Sequence, residues 1–317
     1  MNQVPLRIIF MGTPDFAVPC LDILVNYGYD IVGVITAVDK YGGRGKKTLI
    51  ESAVKKYAQS KELTILQPKN LKAPEFIEKL EALKADLQVV VAFRMLPVIV
   101  WDMPTLGTYN IHGSLLPKYR GAAPINWAII KGEAVTGVTS FKLKHEIDTG
   151  DLYKQAALPI YHTDALSDVH DRMQMVGARL LLQTVADIAN GSIKLSAQED
   201  NQVTHAPKLF TETCEIDFTQ TCKEVYDFVR GLNPYPVAWT MLSDKKLKVY
   251  QITYMEVTDE IKSGTYISNN KSSIQIKCED GYISLHDLQL QGKKRMKTKD
   301  FLNGFKFDLD VHGQAIL

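Results

Sequence analysis

The chain has 317 residues, 45% of them hydrophobic and 23% charged, the composition of an ordinary globular protein with room for two cores. Its net charge of +1 excludes a global attraction to nucleic acid, so any polyanion contact must rest on local clusters. No apolar run is long enough for a bilayer, the first residues lack a signal-peptide pattern, and Cys20, Cys214, Cys222 and Cys278 show no metal-ligand spacing. The expectation is a cytoplasmic protein with free thiols, no membrane partner and no metal.

In chain order, Leu6–Met11 is a short apolar run ending in Gly12-Thr13-Pro14, and Phe16–Tyr27 reads as an amphipathic helix. This is the strand, turn and crossover helix of an α/β fold. The turn lacks Gly-x-Gly-x-x-Gly, which argues against a bound dinucleotide. Ile31–Thr36 is a second strand. The glycine-rich, basic segment from Ala37 to Thr48 has two readings: a solvated loop, or a phosphate-contacting loop that orders on binding. Leu49–Gln59 and Pro74–Leu83 read as helices, with a short strand around Thr64–Leu66 between them. Leu87–Ala92 is almost unbroken apolar sequence, as a central parallel strand buried on both faces requires. It runs into Phe93-Arg94-Met95-Leu96-Pro97, at a strand's carboxyl end, where open α/β sheets bind ligands.

Asn110-Ile-His112 is the next strand, and its alternation puts an amide and an imidazole on one face. A turn-rich stretch with Gly113, Ser114, Pro117, Gly121 and Pro124 follows, then the apolar run Ile125–Ile130. Gly137–Leu143 and Leu152–Leu158 read as a hairpin around Asp148-Thr149-Gly150-Asp151. Amide, imidazole and carboxylate are the groups needed to stabilise an oxyanion and move a proton. Each also has a plain reading: Asn110 as a turn cap, His112 as a satisfied core histidine, Asp148 as part of a hairpin turn. Asp164–Asn190 is a long helix of near 3.6 period. After Gly191 a polar stretch reads as a linker, Thr221–Leu232 as a helix, and 247–255, 264–267, 273–277 and 281–290 as short strands of a small barrel or sandwich.

Asn110-Ile-His112-Gly-Ser114-Leu115-Leu116-Pro117, continuing to Tyr119-Arg120-Gly121-Ala-Ala-Pro124, resembles the signature of the folate-dependent formyltransferases. The Asp148-Thr-Gly-Asp turn sits where that family has its catalytic aspartate. Gly43-Arg44-Gly45-Lys46-Lys47, Asn233-Pro-Tyr-Pro-Val-Ala-Trp239 and Gln291-Gly-Lys293-Lys294-Arg295-Met296 resemble stretches of its methionyl-tRNA branch. The resemblance implies an α/β fold: a Rossmann-like formyltransferase domain over 1–190, a linker over 191–207 and a C-terminal OB-like β-barrel domain over 208–317. It implies a monomer that moves a formyl group from 10-formyltetrahydrofolate to initiator Met-tRNA, with a formyltransferase acting on a small amine as the alternative. It implies catalysis by Asn110, His112 and Asp148. Folate binding falls to Phe93, Arg94, Met95, Leu96, Ser114, Leu115, Leu116 and Pro117, and tRNA binding to Lys40, Arg44, Lys46, Lys47, Lys293, Lys294 and Arg295. Three stretches depart from the usual pattern: Val38-Asp39-Lys40-Tyr41, Phe93-Arg94 and His145-Glu146-Ile147. By count alone residues 208–317 are neutral, with 15 basic and 15 acidic side chains, so only clustering argues for phosphate contacts there.

Overall fold

The computed structural model describes residues 6–42, 45, 47–310 and 315. The chain divides into two compact units: Met1–Gly121 with Val135–Pro159 and His170–His205, and Ala122–Ala134 with Ile160–Val169 and Ala206–Leu317. Residues 122–134 and 160–169, which lie inside the first expected domain by position in the chain, thus group with the second unit.

The first unit is built on β1 (Arg7–Gly12), α1 (Val18–Asn26), β2 (Asp30–Ile35), β3 (Lys40–Gly42), β4 (Thr48–Ile50), α2 (Ala53–Ser60), β5 (Ile65–Leu66), α3 (Pro74–Ala82), β6 (Leu87–Val91), α4 (Val98–Trp101), β7 (Thr108–His112) and the two-residue β8 (Arg120–Gly121). Further along, past α5 (Pro124–Ile130) of the second unit, come β9 (Val135–Lys142), β10 (Leu152–Pro159) and the His170-onward part of α6 (Leu166–Ala189). Seven strands form one sheet in the order β10-β9-β7-β6-β1-β2-β5. Neighbours from β5 to β7 are parallel; β9 is antiparallel to both β7 and β10. β6 is buried along its whole length, which is why its sequence is nearly all apolar. The strand order reverses between β1 and β6, whose carboxyl ends flank a topological switch point, and β7 lies next to β6.

Two segments differ from expectation. The helix expected over Leu49–Gln59 starts only at Ala53, because Ser52 caps it by accepting from Lys55 N–H at 3.0 Å, and Leu49 and Ile50 belong to β4. The segment read either as a solvated loop or as a phosphate-contacting loop is flanked by two short strands, β3 pairing antiparallel with β4. Its base is anchored: Asp39 Oδ2 meets Lys55 Nζ at 2.5 Å, and Gln67 Nε2 donates to Asp39 Oδ1 at 2.8 Å and to Ala37 O at 2.7 Å.

The second unit contains α5, the Ala206 end of the short β11 (His205–Ala206), α7 (Cys222–Gly231), β12 (Ala238–Leu242), β13 (Lys245–Glu256), β14 (Tyr266–Ser268), β15 (Ile274–Lys277), β16 (Gly281–Leu290), β17 (Met296–Lys297) and α8 (Thr298–Gly304). Thr221 and Glu224 form a reciprocal cap at the start of α7. Its sheet runs β12-β13-β16-β15-β14, all antiparallel, with β17 added to β16. Val225, Val229 and Leu232 pack against Leu247, Val249, Ile283 and Leu285 to make its core. The sheet is strongly curled: Tyr266 Oη on one edge strand donates to Met241 O on the other at 3.0 Å, although among the described residues no ladder joins the two edges. β12 and α8 had no distinct periodic signal in the sequence.

Candidate active site

His112 closes β7, pairing with Thr139 of β9, while Asn110 pairs with Val90 and Phe141 on either side. Alternation keeps Asn110 and His112 on one face. His112 is buried, and its Nε2 lies 2.9 Å from the main-chain oxygen of Tyr119. A carbonyl can only accept, so Nε2 carries the hydrogen and Nδ1 is left facing Asp148. The Nδ1 to Asp148 Oδ2 distance is 3.7 Å, a close approach too long for a hydrogen bond. Asp148 is also buried, and its Oδ2 accepts from Gly121 N–H at 2.9 Å. The Asn110 amide is half-buried and has no hydrogen-bond partner among the described residues.

The turn that carries Asp148 has little freedom. Asp148 sits at φ +56°, a left-handed conformation that Asp tolerates better than most residues. Two positions on, a Cβ at Gly150 would lie 1.8 Å from Lys142 O, so no side chain fits there. From residue 198, the Gln198 amide reaches over this turn and donates to Asp148 O and Gly150 O, both at 2.8 Å.

The loop after β7 is shaped by β9 and β10. Thr139 Oγ1 donates to Ser114 O at 2.7 Å and accepts from Leu116 N–H at 3.0 Å. Gln155 Nε2 donates to Leu116 O at 2.7 Å and to Thr139 Oγ1 at 2.9 Å. Ser114, with no exposed surface, donates its hydroxyl to Lys118 O at 2.6 Å, and Leu116 and Pro117 are buried. These side chains set the loop's posture, and half-buried Leu115 packs over Gly137, where a Cβ would lie 2.5 Å from Leu115 Cδ2. Tyr119 N–H donates to Thr204 Oγ1 at 2.8 Å, in the stretch read from sequence as a linker.

At the end of β6, Phe93 and Leu96 pack on the core cluster that includes Ile9, Met11 and Val90, while Met95 is 74% exposed. Arg94 donates to Lys69 O at 2.9 Å and to Pro68 O, tying this strand end to the 67–69 loop. Its guanidinium is therefore occupied by the protein's own carbonyls.

The basic residues divide into three kinds. Lys40 and Lys47 are exposed on the β3/β4 hairpin, whereas Arg44 and Lys46 lie outside the described residues. Lys293 and Lys294 are exposed in the turn before β17. Arg295 is spoken for: its Nε and Nη2 donate to the two Asp287 oxygens at 2.9 and 3.0 Å, and it stacks 4.0 Å from the Tyr250 ring. Burial by itself would raise the Asp287 carboxyl, but Arg295 and Lys297 hold it below the ordinary carboxylate range.

Gln198, Thr139, Gln155 and Thr204 were not visible as site residues in the sequence. No local motif marks them; only Gly150 carried a signal, in the Asp-Thr-Gly turn. Among the described residues no group of three or more His, Cys, Asp or Glu side chains is placed to hold a metal ion, and no helix is long and apolar enough to cross a membrane.

A buried imidazole–carboxylate pair at the carboxyl ends of a Rossmann-like sheet is joined by matches to two family descriptions. They are Formyl transferase over residues 6–185 and Formyl transferase, C-terminal domain, over residues 208–306. The chain is a formyl transferase of two-domain type. Its similarity to the methionyl-tRNA formyltransferase of Parabacteroides distasonis is 52% identity over 316 residues, covering 96% of this chain and 98% of that one. For the Bacteroides fragilis methionyl-tRNA formyltransferase it is 48% over 314 residues, covering 96% and 97%. The chain belongs to the methionyl-tRNA formyltransferase family. Among solved structures, HypX from Aquifex aeolicus in complex with tetrahydrofolic acid superposes with TM-score 0.64 at 18% identity, covering 99% of this chain and 51% of that one. The chain thus spans about half the length of HypX. An N-formyltransferase from Helicobacter canadensis, solved with folinic acid and dTDP-3-aminofucose, gives TM-score 0.64 at 17% identity, covering 92% of this chain and 100% of that one. At these identities the likeness is one of fold.

Proposed function

We propose that the enzyme transfers the formyl group of 10-formyltetrahydrofolate to the α-amino group of methionyl initiator tRNA. The observation that carries the reading is the buried His112–Asp148 pair, with Asn110 on the same strand face, in a chain about half identical to methionyl-tRNA formyltransferases along nearly its full length. In this reaction the amine nitrogen bonds to the formyl carbon and the bond from that carbon to the folate nitrogen breaks. One proton leaves the amine and one reaches the folate nitrogen.

Asn110 offers its amide hydrogens, which no described residue uses, to the oxyanion that forms between those events. Asp148 takes the proton from the amine, directly or through a water, by its Oδ1, since Oδ2 is held by Gly121. His112 is fixed in orientation by Tyr119 O, and its Nδ1 beside Asp148 is the ring atom through which the proton passes toward the folate nitrogen. The pterin lies against the main chain of Phe93, Arg94, Met95 and Leu96, with Ser114, Leu115, Leu116 and Pro117 bounding the formyl end. The fold it shares with a tetrahydrofolic-acid complex supports this placement.

Chemistry resides in residues 1–190, and 191–207 lead into an OB-like domain at 208–317 that holds tRNA. Lys40, Arg44, Lys46, Lys47, Lys293 and Lys294 meet tRNA phosphate, while Arg295 supports them from its pair with Asp287. The enzyme acts as a cytoplasmic monomer. Incubation with 10-formyltetrahydrofolate and either charged initiator tRNA or small amines, a nucleotide amine and an amino-sugar nucleotide, tests the assignment. Turnover is expected with the tRNA; equal or higher kcat/KM with a small amine would overturn it.

A further inference from the structure

We infer that Gln198 is a positioning residue for the formyl-transfer step, acting through Asp148; the inference rests on the catalytic reading of Asp148 above. Gln198 uses both ends of its amide. The nitrogen donates to Asp148 O and Gly150 O at 2.8 Å each, and the oxygen accepts from Arg120 Nε at 3.1 Å and Arg120 Nη2 at 2.7 Å. Arg120 stands between Tyr119, whose carbonyl orients the imidazole of His112, and Gly121, whose N–H holds the Asp148 carboxylate. One side chain therefore closes a ring: Asp148 main chain, Gln198, Arg120, Gly121, and back to Asp148 Oδ2. Every separation that sets the carboxylate against the imidazole is part of this ring or next to it.

The need for such a brace follows from the turn. Residues 144–147 are exposed, and the turn's own side-chain bonds, Thr149 Oγ1 to Glu146 O at 3.0 Å and Lys144 Nζ to Asp151 Oδ1 at 2.7 Å, are exposed as well. Asp148 is left-handed at φ +56°, a conformation that persists only where its surroundings hold it. A glutamine suits the task because its planar amide presents two donors on one side and an acceptor on the other. A glutamate of the same shape would keep the Arg120 contact and lose both donors. Displacing a reacting group by about 1 Å costs on the order of 10²-fold in rate.

The test is a double-mutant cycle of Gln198→Met and Asp148→Asn, with Gln198→Glu as the shape-matched control, read by single-turnover formyl transfer at saturating 10-formyltetrahydrofolate and Met-tRNA. Gln198→Met is expected to slow the step by about 10- to 10²-fold with the KM for folate changed by less than about 2-fold. Gln198→Glu is expected to be equally slow, and Gln198→Met is expected to add no further loss in the Asp148→Asn background. A Gln198→Glu enzyme at the wild-type rate would overturn the inference, because bracing Arg120 alone would then suffice. So would losses that multiply across the cycle, or a Gln198→Met defect that vanishes when rates are divided by the folded fraction from a thermal melt. If Asp148→Asn by itself turns over normally, the catalytic reading of Asp148 fails instead, and this inference with it.

Discussion

The rate of formyl transfer should depend on single atoms around His112. Replacing His112 by Ala removes the ring that links Tyr119 O to Asp148, and turnover should fall by at least about 10²-fold while the far-ultraviolet spectrum stays native. Near-normal single-turnover transfer by that variant would exclude the assignment. Thr139 provides a contrast between shape and bonding. Its hydroxyl has no exposed surface and joins three partners, Ser114 O, Leu116 N–H and Gln155 Nε2. Thr139→Val keeps the volume but leaves a buried N–H without its acceptor, which costs about 1–3 kcal/mol. Urea unfolding should therefore show a lower midpoint and an unchanged slope; an unshifted midpoint would mean that the loop re-forms its bonds elsewhere.

The β3/β4 hairpin is the element where pH has a definite sign. The Asp39 carboxyl is held below its ordinary value of 3.8, chiefly by the hydrogen bond from Lys55 and then that from Gln67. A carboxyl depressed in the folded state contributes stability above its unfolded value, and that contribution disappears as pH falls through the folded one. The anchoring of the hairpin is thus complete at neutral pH and is lost only below about pH 3.8. Limited proteolysis between Lys40 and Ile50 should be faster in Asp39→Asn than in wild type at pH 7, and the difference should close in strong acid. Equal cleavage at pH 7 would show that Gln67 and the β ladder anchor the hairpin without the charge. Arg44, between β3 and β4 in the sequence, offers forked donors that a lysine lacks, so Arg44→Lys should impair tRNA-dependent transfer although the charge is kept. Identical kcat/KM for the two proteins would reduce Arg44 to a point charge.

For the whole molecule the question is which charges meet phosphate. Arg295 stabilises Asp287 in the second unit, whereas Lys293 and Lys294 are exposed beside it. Replacing both lysines by Ala should leave thermal stability unchanged and make the slope of log affinity for tRNA against log salt shallower. The change should be about 0.9 for each phosphate no longer neutralised, by analogy with duplex DNA. Arg295→Ala should instead lower the melting temperature, since it leaves the mostly buried Asp287 carboxylate with Lys297 alone. An unchanged salt slope in the double lysine variant would mean that these side chains are merely solvated. A central-strand change, Val89→Asp, should abolish folding altogether, because it places an unpaired charge in a fully buried strand.

Much of this was written locally in the chain. The nearly unbroken apolar run of β6, the amide and imidazole two residues apart on β7 and the Asp-Thr-Gly turn are patterns over two to eight residues, and the backbone periods that read them are equally short. Short patterns also misled: Leu49 and Ile50 fitted a helix, which begins only at Ala53 behind the Ser52 cap. What no run of sequence disclosed is which distant groups complete the site. Gln198 meets its partners across separations of 48, 50 and 78 residues, and Tyr119 meets Thr204 across 85. Those meetings are made by the tertiary fold, as is the pairing of Arg295 with Asp287 across the β16–β17 turn, which ties to a carboxylate a charge that counted as basic in the sequence. A side chain's chemistry belongs to its residue type, but its partner belongs to the fold, because burial and hydrogen-bond geometry exist only once distant strands have been brought within about 3 Å of one another.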